Sequence, residues 1–280
     1  MRIGLLQMTS GIDPAANAAT LVAAVEEAAA GGARILFTPE MSGLVDRNRA
    51  RAASKIVAAE ADPVLAAVRE AAARSGLCVA LGSLAVARGD GRYANRAFVI
   101  AGNGAILATY DKMHMFDVAL ASGESWRESA AYAPGNSVVH VDLPLGEGGD
   151  LVRLGLAICY DIRFPALFDE LGRRACDIIA IPAAFTRPTG AAHWHVLQRA
   201  RAIEASAFVL SAAQVGRHED GRETYGHSLA VDPWGEVLLD LGGDKAGLGF
   251  ADLDLGRIGE VRRQLPSLAN RRAIPRSDAS

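Results

Sequence analysis

Aromatic residues are scarce in this chain, at 6%, and cysteine is scarcer, with three in 280 residues. Cys78, Cys159 and Cys176 are odd in number and form no C-x-x-C pair, which argues against a disulfide framework and a thiolate zinc site. Unpaired thiols point to a reducing, cytoplasmic setting. No run of about 20 apolar residues occurs, so no membrane-spanning helix is expected. Met1 to Ser10 is too short in its apolar part for a signal peptide, and position 2 lacks the glycine that myristoylation needs. Charge of one sign is also missing. Lys and Arg number 29 against 32 Asp and Glu, a net charge of -3, so no positive field exists to hold nucleic acid or an anionic membrane.

What is present is a half-hydrophobic composition with 29 glycines, within the ordinary globular range. Arg2 to Met8 reads as a strand and Ala15 to Ala30 as a helix stopped by Gly31-Gly32; Ala33 to Thr38 is a second strand closed by Pro39. A helix from Val64 to Arg74 follows Asp62-Pro63 and ends at Ser75-Gly76, and Leu77 to Gly82 is the next strand. Asn95 to Ala101 and Ala105 to Tyr110 flank Gly102-Asn103-Gly104 as a hairpin. Asp117 to Asn136 shows no periodicity and reads as a long loop, the kind that carries function. Strands are expected over 138–143, 151–158, 178–183, 207–214, 228–232 and 236–240, with helices over 164–174 and 192–205. No repeat or linker interrupts this mixed α/β pattern, and a looser tail begins near Leu265.

Three reactive side chains stand directly after apolar strand-like runs: Glu40, Lys112 and Cys159. Sites in layered α/β proteins gather at such strand ends, so the three are expected to converge. The combination is chemically coherent. A carboxylate can take the proton of a thiol that is poorly ionised at neutral pH, and an ammonium favours the resulting anion. The ammonium and the backbone N–H of Tyr160 can then face the oxyanion of a tetrahedral intermediate. Taken singly, each residue also has a bland reading as buried thiol, cap or solvated charge. Cys78 and Cys176 are assigned to the core.

The words around these residues are more specific. Phe37-Thr38-Pro39-Glu40, Tyr110 to Asp117 and Ala157 to Pro165 resemble, in order, the three signature blocks of the nitrilase superfamily of carbon-nitrogen hydrolases. Thr189-Gly190-Ala191-Ala192-His193-Trp194, Gln214 to His218, Tyr225-Gly226-His227-Ser228 and Asp232-Pro233-Trp234-Gly235 are similar to its Nit branch. The resemblance implies a four-layer αββα sandwich over residues 1–272, with 273–280 a tail, and subunits paired as a homodimer or larger even assembly. It implies Glu40 as general base, Lys112 as oxyanion stabiliser and Cys159 as nucleophile. A second glutamate falls on Glu128, with Glu124 its competitor. No metal or cofactor is implied.

Within the branch, the Gln214 to His218, Tyr225 to Ser228 and Leu265 to Arg272 segments look more like amidases of deaminated glutathione than like ω-amidases acting on 2-oxoglutaramate or 2-oxosuccinamate. Nitrile and N-carbamoyl amino acid hydrolysis and a non-enzymatic scaffold are the other readings. The expected partner is a small amide bearing a carboxylate. Arg163, four residues past the nucleophile, is the candidate grip for that carboxylate, against an ion pair with Asp161 or Asp169. Thr186 and Thr189, expected in the loop after 178–183, are candidates for further substrate hydrogen bonds, against a turn-forming role. Two departures from the relatives' pattern are His195, where Glu is common, and Ala166, where Glu is frequent. A Cys-His design using His114, His193 or His227 leaves Glu40 and Lys112 unexplained. His193 and His195 share no helical face, which disfavours a helical metal pair.

Overall fold

The computed structural model describes residues 1–119, 123 and 125–274. In chain order its elements are β1 (Arg2–Gln7), α1 (Pro14–Ala30), β2 (Ile35–Phe37), α2 (Arg49–Ala53), α3 (Pro63–Ser75), β3 (Cys78–Ala87), β4 (Tyr93–Ile100) and β5 (Ile106–Asp111). They continue with β6 (Asp117–Ala119), β7 (Ser125–Arg127), β8 (His140–Leu143), β9 (Val152–Leu156), α4 (Pro165–Arg173), β10 (Ile178–Ala180) and α5 (Arg187–Ala205). The last are β11 (Phe208–Ser211), β12 (Val215–Arg217), β13 (Glu223–Tyr225), β14 (Leu229–Val231), β15 (Val237–Asp240), β16 (Gly247–Asp252) and α6 (Gly256–Gln264).

Two six-stranded sheets result, ordered β16-β1-β2-β3-β4-β5 and β15-β14-β11-β10-β9-β8. In each, the central strands are parallel and the flanking strands antiparallel. Alternation along the strands sets the layers. Ile35 and Phe37 of β2 join Leu154, Leu156 and Ile178 of the other sheet in one core, while Leu36 between them joins Leu21 and Val25 of α1 and Val68 of α3 in a second. Phe168 and Leu171 of α4 and Trp194 and Ala202 of α5 close the far side. The order is helices, sheet, sheet, helices, the αββα sandwich.

Local chemistry explains the boundaries. Asp13 caps α1 by accepting from Ala15 N, and Asp62 caps α3 by accepting from Val64 N and Leu65 N; each is followed by proline. One strand end departs from expectation. Gly82 reads as the stop of a strand, yet β3 runs on to Ala87. A side chain at Gly82 would meet the Thr38 carbonyl oxygen at 2.0 Å, so this glycine marks a close backbone approach inside the strand. That approach braces the Glu40 turn: Thr38 Oγ1 accepts from Gly82 N at 2.9 Å, and Ser83 Oγ accepts from Met41 N at 2.9 Å.

The stretch expected as a structureless loop over 117–136 holds the β6–β7 hairpin and a single 3-10 turn at Glu128–Ala130. The helix expected to start at Ala192 begins five residues earlier, because Pro188 fits its first turn. Thr186 is therefore the residue before α5 and Thr189 lies in its first turn, rather than both in a loop.

Candidate active site

The three strand exits do converge. Glu40 follows β2, Lys112 follows β5 and Cys159 follows β9, and all three side chains are buried. Lys112, only 2% exposed, donates from Nζ to Glu40 Oε1 at 2.9 Å and to Glu128 Oε2 at 2.9 Å. The Cys159 thiol and the Glu40 carboxylate are close enough that each shifts the other's acidity. Glu40 Oε2 accepts from Ala184 N at 2.9 Å, and Glu128 Oε2 from Phe116 N at 2.7 Å. Glu124 lies outside the described residues.

Cys159 sits at the start of a 3-10 turn, Cys159–Arg163, with a positive φ of 47°, a strained conformation for a non-glycine residue. Its N–H donates to the Pro182 carbonyl at 2.9 Å. The Tyr160 N–H is among the first of this turn, which have no carbonyl of the turn to bond. Asp161, fully buried, holds the turn: it accepts from Ile158 N, from Tyr110 Oη at 2.7 Å and from His114 N at 3.0 Å. Its other contact is His114 Nδ1 at 2.7 Å. Asp161 thus ties the nucleophile's turn to the Lys112 segment.

Two carboxylates surround one ammonium, and the charges follow. Burial penalises the Lys112 ammonium, but Glu128 and Glu40 outweigh it and raise its pKa well above the ordinary lysine range. Burial pushes Glu40 up, but the Lys112 charge and the hydrogen bonds from Cys159, Lys112 and Asn95 bring it below the usual carboxylate range. Burial and then the Glu40 charge hold the Cys159 thiol well above its ordinary value, despite Lys112. The resting site is therefore carboxylate, ammonium and neutral thiol. Burial, joined at Cys176 by the Asp177 charge, pushes Cys78 and Cys176 up to about 12, as befits core thiols.

Sequence reasoning missed Asn95. Its Nδ2 donates to Glu40 Oε1 at 2.9 Å and to Glu128 Oε1 at 3.1 Å, so one amide positions both acids, while its Oδ1 is buried with no partner. The signal was its place in β4, inside the expected hairpin and opposite the strand leading to Lys112. The Lys112 N–H donates to the Asn95 carbonyl at 2.9 Å.

Arg163 makes neither ion pair considered for it. Its Nη1 lies 3.3 Å from His193 Nδ1, and its guanidinium stands over the Phe185 ring at 5.4 Å and the Tyr160 ring at 5.9 Å. Among the described residues it has no carboxylate partner. Thr186 and Thr189 bond to each other through their hydroxyls at 2.9 Å, and Thr189 Oγ1 also donates to the Thr186 carbonyl, which is helix-start chemistry. His195 pairs with neither His193 nor a catalytic group. Its Nε2 lies 3.0 Å from Asp240 Oδ2, and His227 Nδ1 is 2.9 Å from Asp240 Oδ1, a cluster of donor atoms of the kind that can hold a metal ion.

Comparison with known proteins concerns the chain as a whole. The carbon-nitrogen hydrolase family profile matches residues 2–263. Among curated proteins, the deaminated glutathione amidase of Synechocystis is 44% identical over 186 residues, 66% of each chain. That of Yersinia enterocolitica is 35% identical over 97% of this chain and 93% of its own. Among solved structures, the Caenorhabditis elegans NitFhit protein superposes with a TM-score of 0.87 at 32% identity, covering 97% of this chain and 65% of that one.

Proposed function

The chain belongs to the carbon-nitrogen hydrolase family, and from that premise we propose that it cleaves the amide of a small carboxylate-bearing substrate through a thioester on Cys159, with deaminated glutathione as substrate. The observation that carries the reading is the buried contact of a neutral thiol, an ionised carboxylate and a charged ammonium at three strand ends.

Each group's role follows from its state. Cys159 Sγ attacks the amide carbonyl carbon as its proton passes to Glu40, so a thiolate need not accumulate. The developing oxyanion faces the Lys112 ammonium and the Tyr160 N–H. Glu40, now protonated, gives its proton to the departing amine nitrogen as the C–N bond breaks. A water then loses a proton to the same carboxylate and attacks the thioester, releasing the acid and returning the proton to sulfur. Glu128 and Asn95 hold Lys112 and Glu40 in register. Arg163, facing aromatic rings rather than a carboxylate, is assigned the substrate's carboxylate on the acyl side.

The remaining assignments rest on surface and composition. Residues 1–272 form the catalytic domain, with 273–280 a tail. Val196 and Ile203 are exposed on α5 at 69% and 41%, which suits pairing of two copies through their helical faces; sedimentation at micromolar concentration tests this homodimer. No helix among the described residues is long and apolar enough to cross a membrane, and the free thiols suit the cytoplasm. The decisive assay measures amine or ammonia release from deaminated glutathione, 2-oxoglutaramate, a simple nitrile and an N-carbamoyl amino acid. Cys159→Ala is expected to abolish turnover and the acyl-enzyme mass adduct; surviving turnover sinks the assignment.

A further inference from the structure

On the far side of the site from Arg163, a second guanidinium is short of an anion. Arg222 lies between β12 and β13, with its side chain only 18% exposed and its Nε buried without a hydrogen-bond partner. Among the described residues its one carboxylate neighbour is Asp220, 3.5 Å from Nη2. That carboxylate is already engaged. Asp220 accepts from the backbone N–H groups of Arg47 and Arg222 at 2.8 and 2.9 Å and also faces Arg47 Nε at 3.9 Å. Two cations therefore share one anion at long distance, and a buried surplus of positive charge is costly unless something negative completes it.

The place of this surplus relates it to the reacting atoms. Tyr160, Phe116 and Trp126 form a row of rings with centroids 5.1 and 6.4 Å apart. Arg163 stands over the Tyr160 end and Arg222 over the Trp126 end, 4.6 Å from its ring. Glu128, which binds Lys112, accepts from the N–H of Phe116 in the middle of that row. The charges of Glu40 and Arg222 both bear on the Tyr132 phenol. Burial is the main cause that holds the Arg222 guanidinium below its ordinary basicity; Asp220 and, less, Glu40 offset it only in part, and the Arg47 charge adds to it.

We propose that Arg222 is a specificity-determining residue that binds a carboxylate on the leaving-group side of the scissile amide, so that the substrate is gripped by one guanidinium on each side of the bond. This rests on the amidase reading above and deepens it. Deaminated glutathione has this pattern, with one carboxylate beside its ketone and another on its C-terminal glycine; an ω-amide that releases ammonia lacks the second. The anion also satisfies the buried Nε through a two-point fork that lysine does not offer.

The experiment compares kcat/KM for deaminated glutathione and for the same molecule with its terminal carboxylate converted to a carboxamide. The wild-type protein is expected to favour the carboxylate form by about tenfold or more, the worth of one charge-assisted bidentate contact. Arg222→Gln is expected to bring that ratio to within about threefold of one, whereas Arg163→Lys lowers both rates and preserves the ratio. A wild-type ratio near one, measured without any variant, overturns the assignment, and so does a ratio that survives in a folded Arg222→Gln protein. Failure of the wild type to hydrolyse either amide overturns deaminated glutathione as the substrate, a distinct result.

Discussion

The reacting centre and the guanidinium rim differ in how completely their charges are answered. At the centre, Lys112 contacts Glu40 and Glu128 at 2.9 Å each, and Asn95 bridges the same two acids. At the rim, Arg163 has rings and a histidine for neighbours, and Arg222 shares a distant Asp220 with Arg47. Groups whose charges must be set before the reaction begins are built into a closed network before substrate arrives. Groups that must recognise an anion keep bonding capacity in reserve. Changes at the centre should therefore depress kcat, and changes at the rim should raise KM.

The largest effect is expected for Lys112→Met. Removing the ammonium takes away the oxyanion's partner and leaves two buried carboxylates facing each other, so one must take up a proton. A fall in kcat of about a thousandfold or more is expected, with a stability loss of about 3 kcal/mol. Adding Glu128→Gln should recover stability but not turnover, as thermal melts and steady-state rates on the same samples can show. Recovery of turnover would mean that Lys112 serves charge balance alone, and the comparison would break.

Asn95→Ala comes next. The amide hydrogen bonds to the two acids that hold Lys112 and so sets the distance between them. Losing two charge-assisted hydrogen bonds should lower kcat by about 10- to 100-fold with KM little changed. A purely structural role would instead lower the melting temperature and leave kcat per folded molecule intact. Arg163→Lys should do the reverse of Asn95→Ala. KM for carboxylate-bearing amides should rise about tenfold, because an ammonium cannot reproduce the planar fork, while kcat stays within about threefold. If KM is unchanged, Arg163 belongs to the aromatic packing of the rim.

What the sequence disclosed follows the same division. Glu40, Lys112 and Cys159 were legible because each follows an apolar run within a short, distinctive block, and Glu128 only through the family resemblance, which carries a second glutamate to it. Asn95 was not, since its place in the hairpin sets it beside the Lys112 segment without marking which side chains its amide will meet across the sheet. Arg222 was hidden for a different reason: its hairpin is two three-residue strands, too short for alternation to register. The edge strand β16 escaped because Gly247 and Gly249 dilute its pattern and its partner β1 is at the other end of the chain. The Gly82 misreading shows that a glycine signals close approach as readily as a chain turn, and only the neighbouring strand decides.

The smallest expected effect is a response to pH. Glu40 is held below the ordinary carboxylate range, so it remains a base throughout the neutral region and is lost only as pH falls through that lowered value. The same sign applies to stability: ionised Glu40 favours the fold above its unfolded value, and that contribution disappears on acidification. Lys112, raised well above the ordinary lysine range, stays charged. Cys159, raised as well, stays a thiol, so the proton it gives up during attack must go to Glu40 whatever the bulk pH. kcat/KM should then vary by less than about threefold between about pH 7 and 9. Over the lower part of that range, the ultraviolet difference between wild type and Cys159→Ala should show no thiolate absorbance. Thiolate absorbance at neutral pH would mean that the centre rests as a thiolate-ammonium pair with Glu40 already protonated, the opposite distribution of one proton among the same three groups.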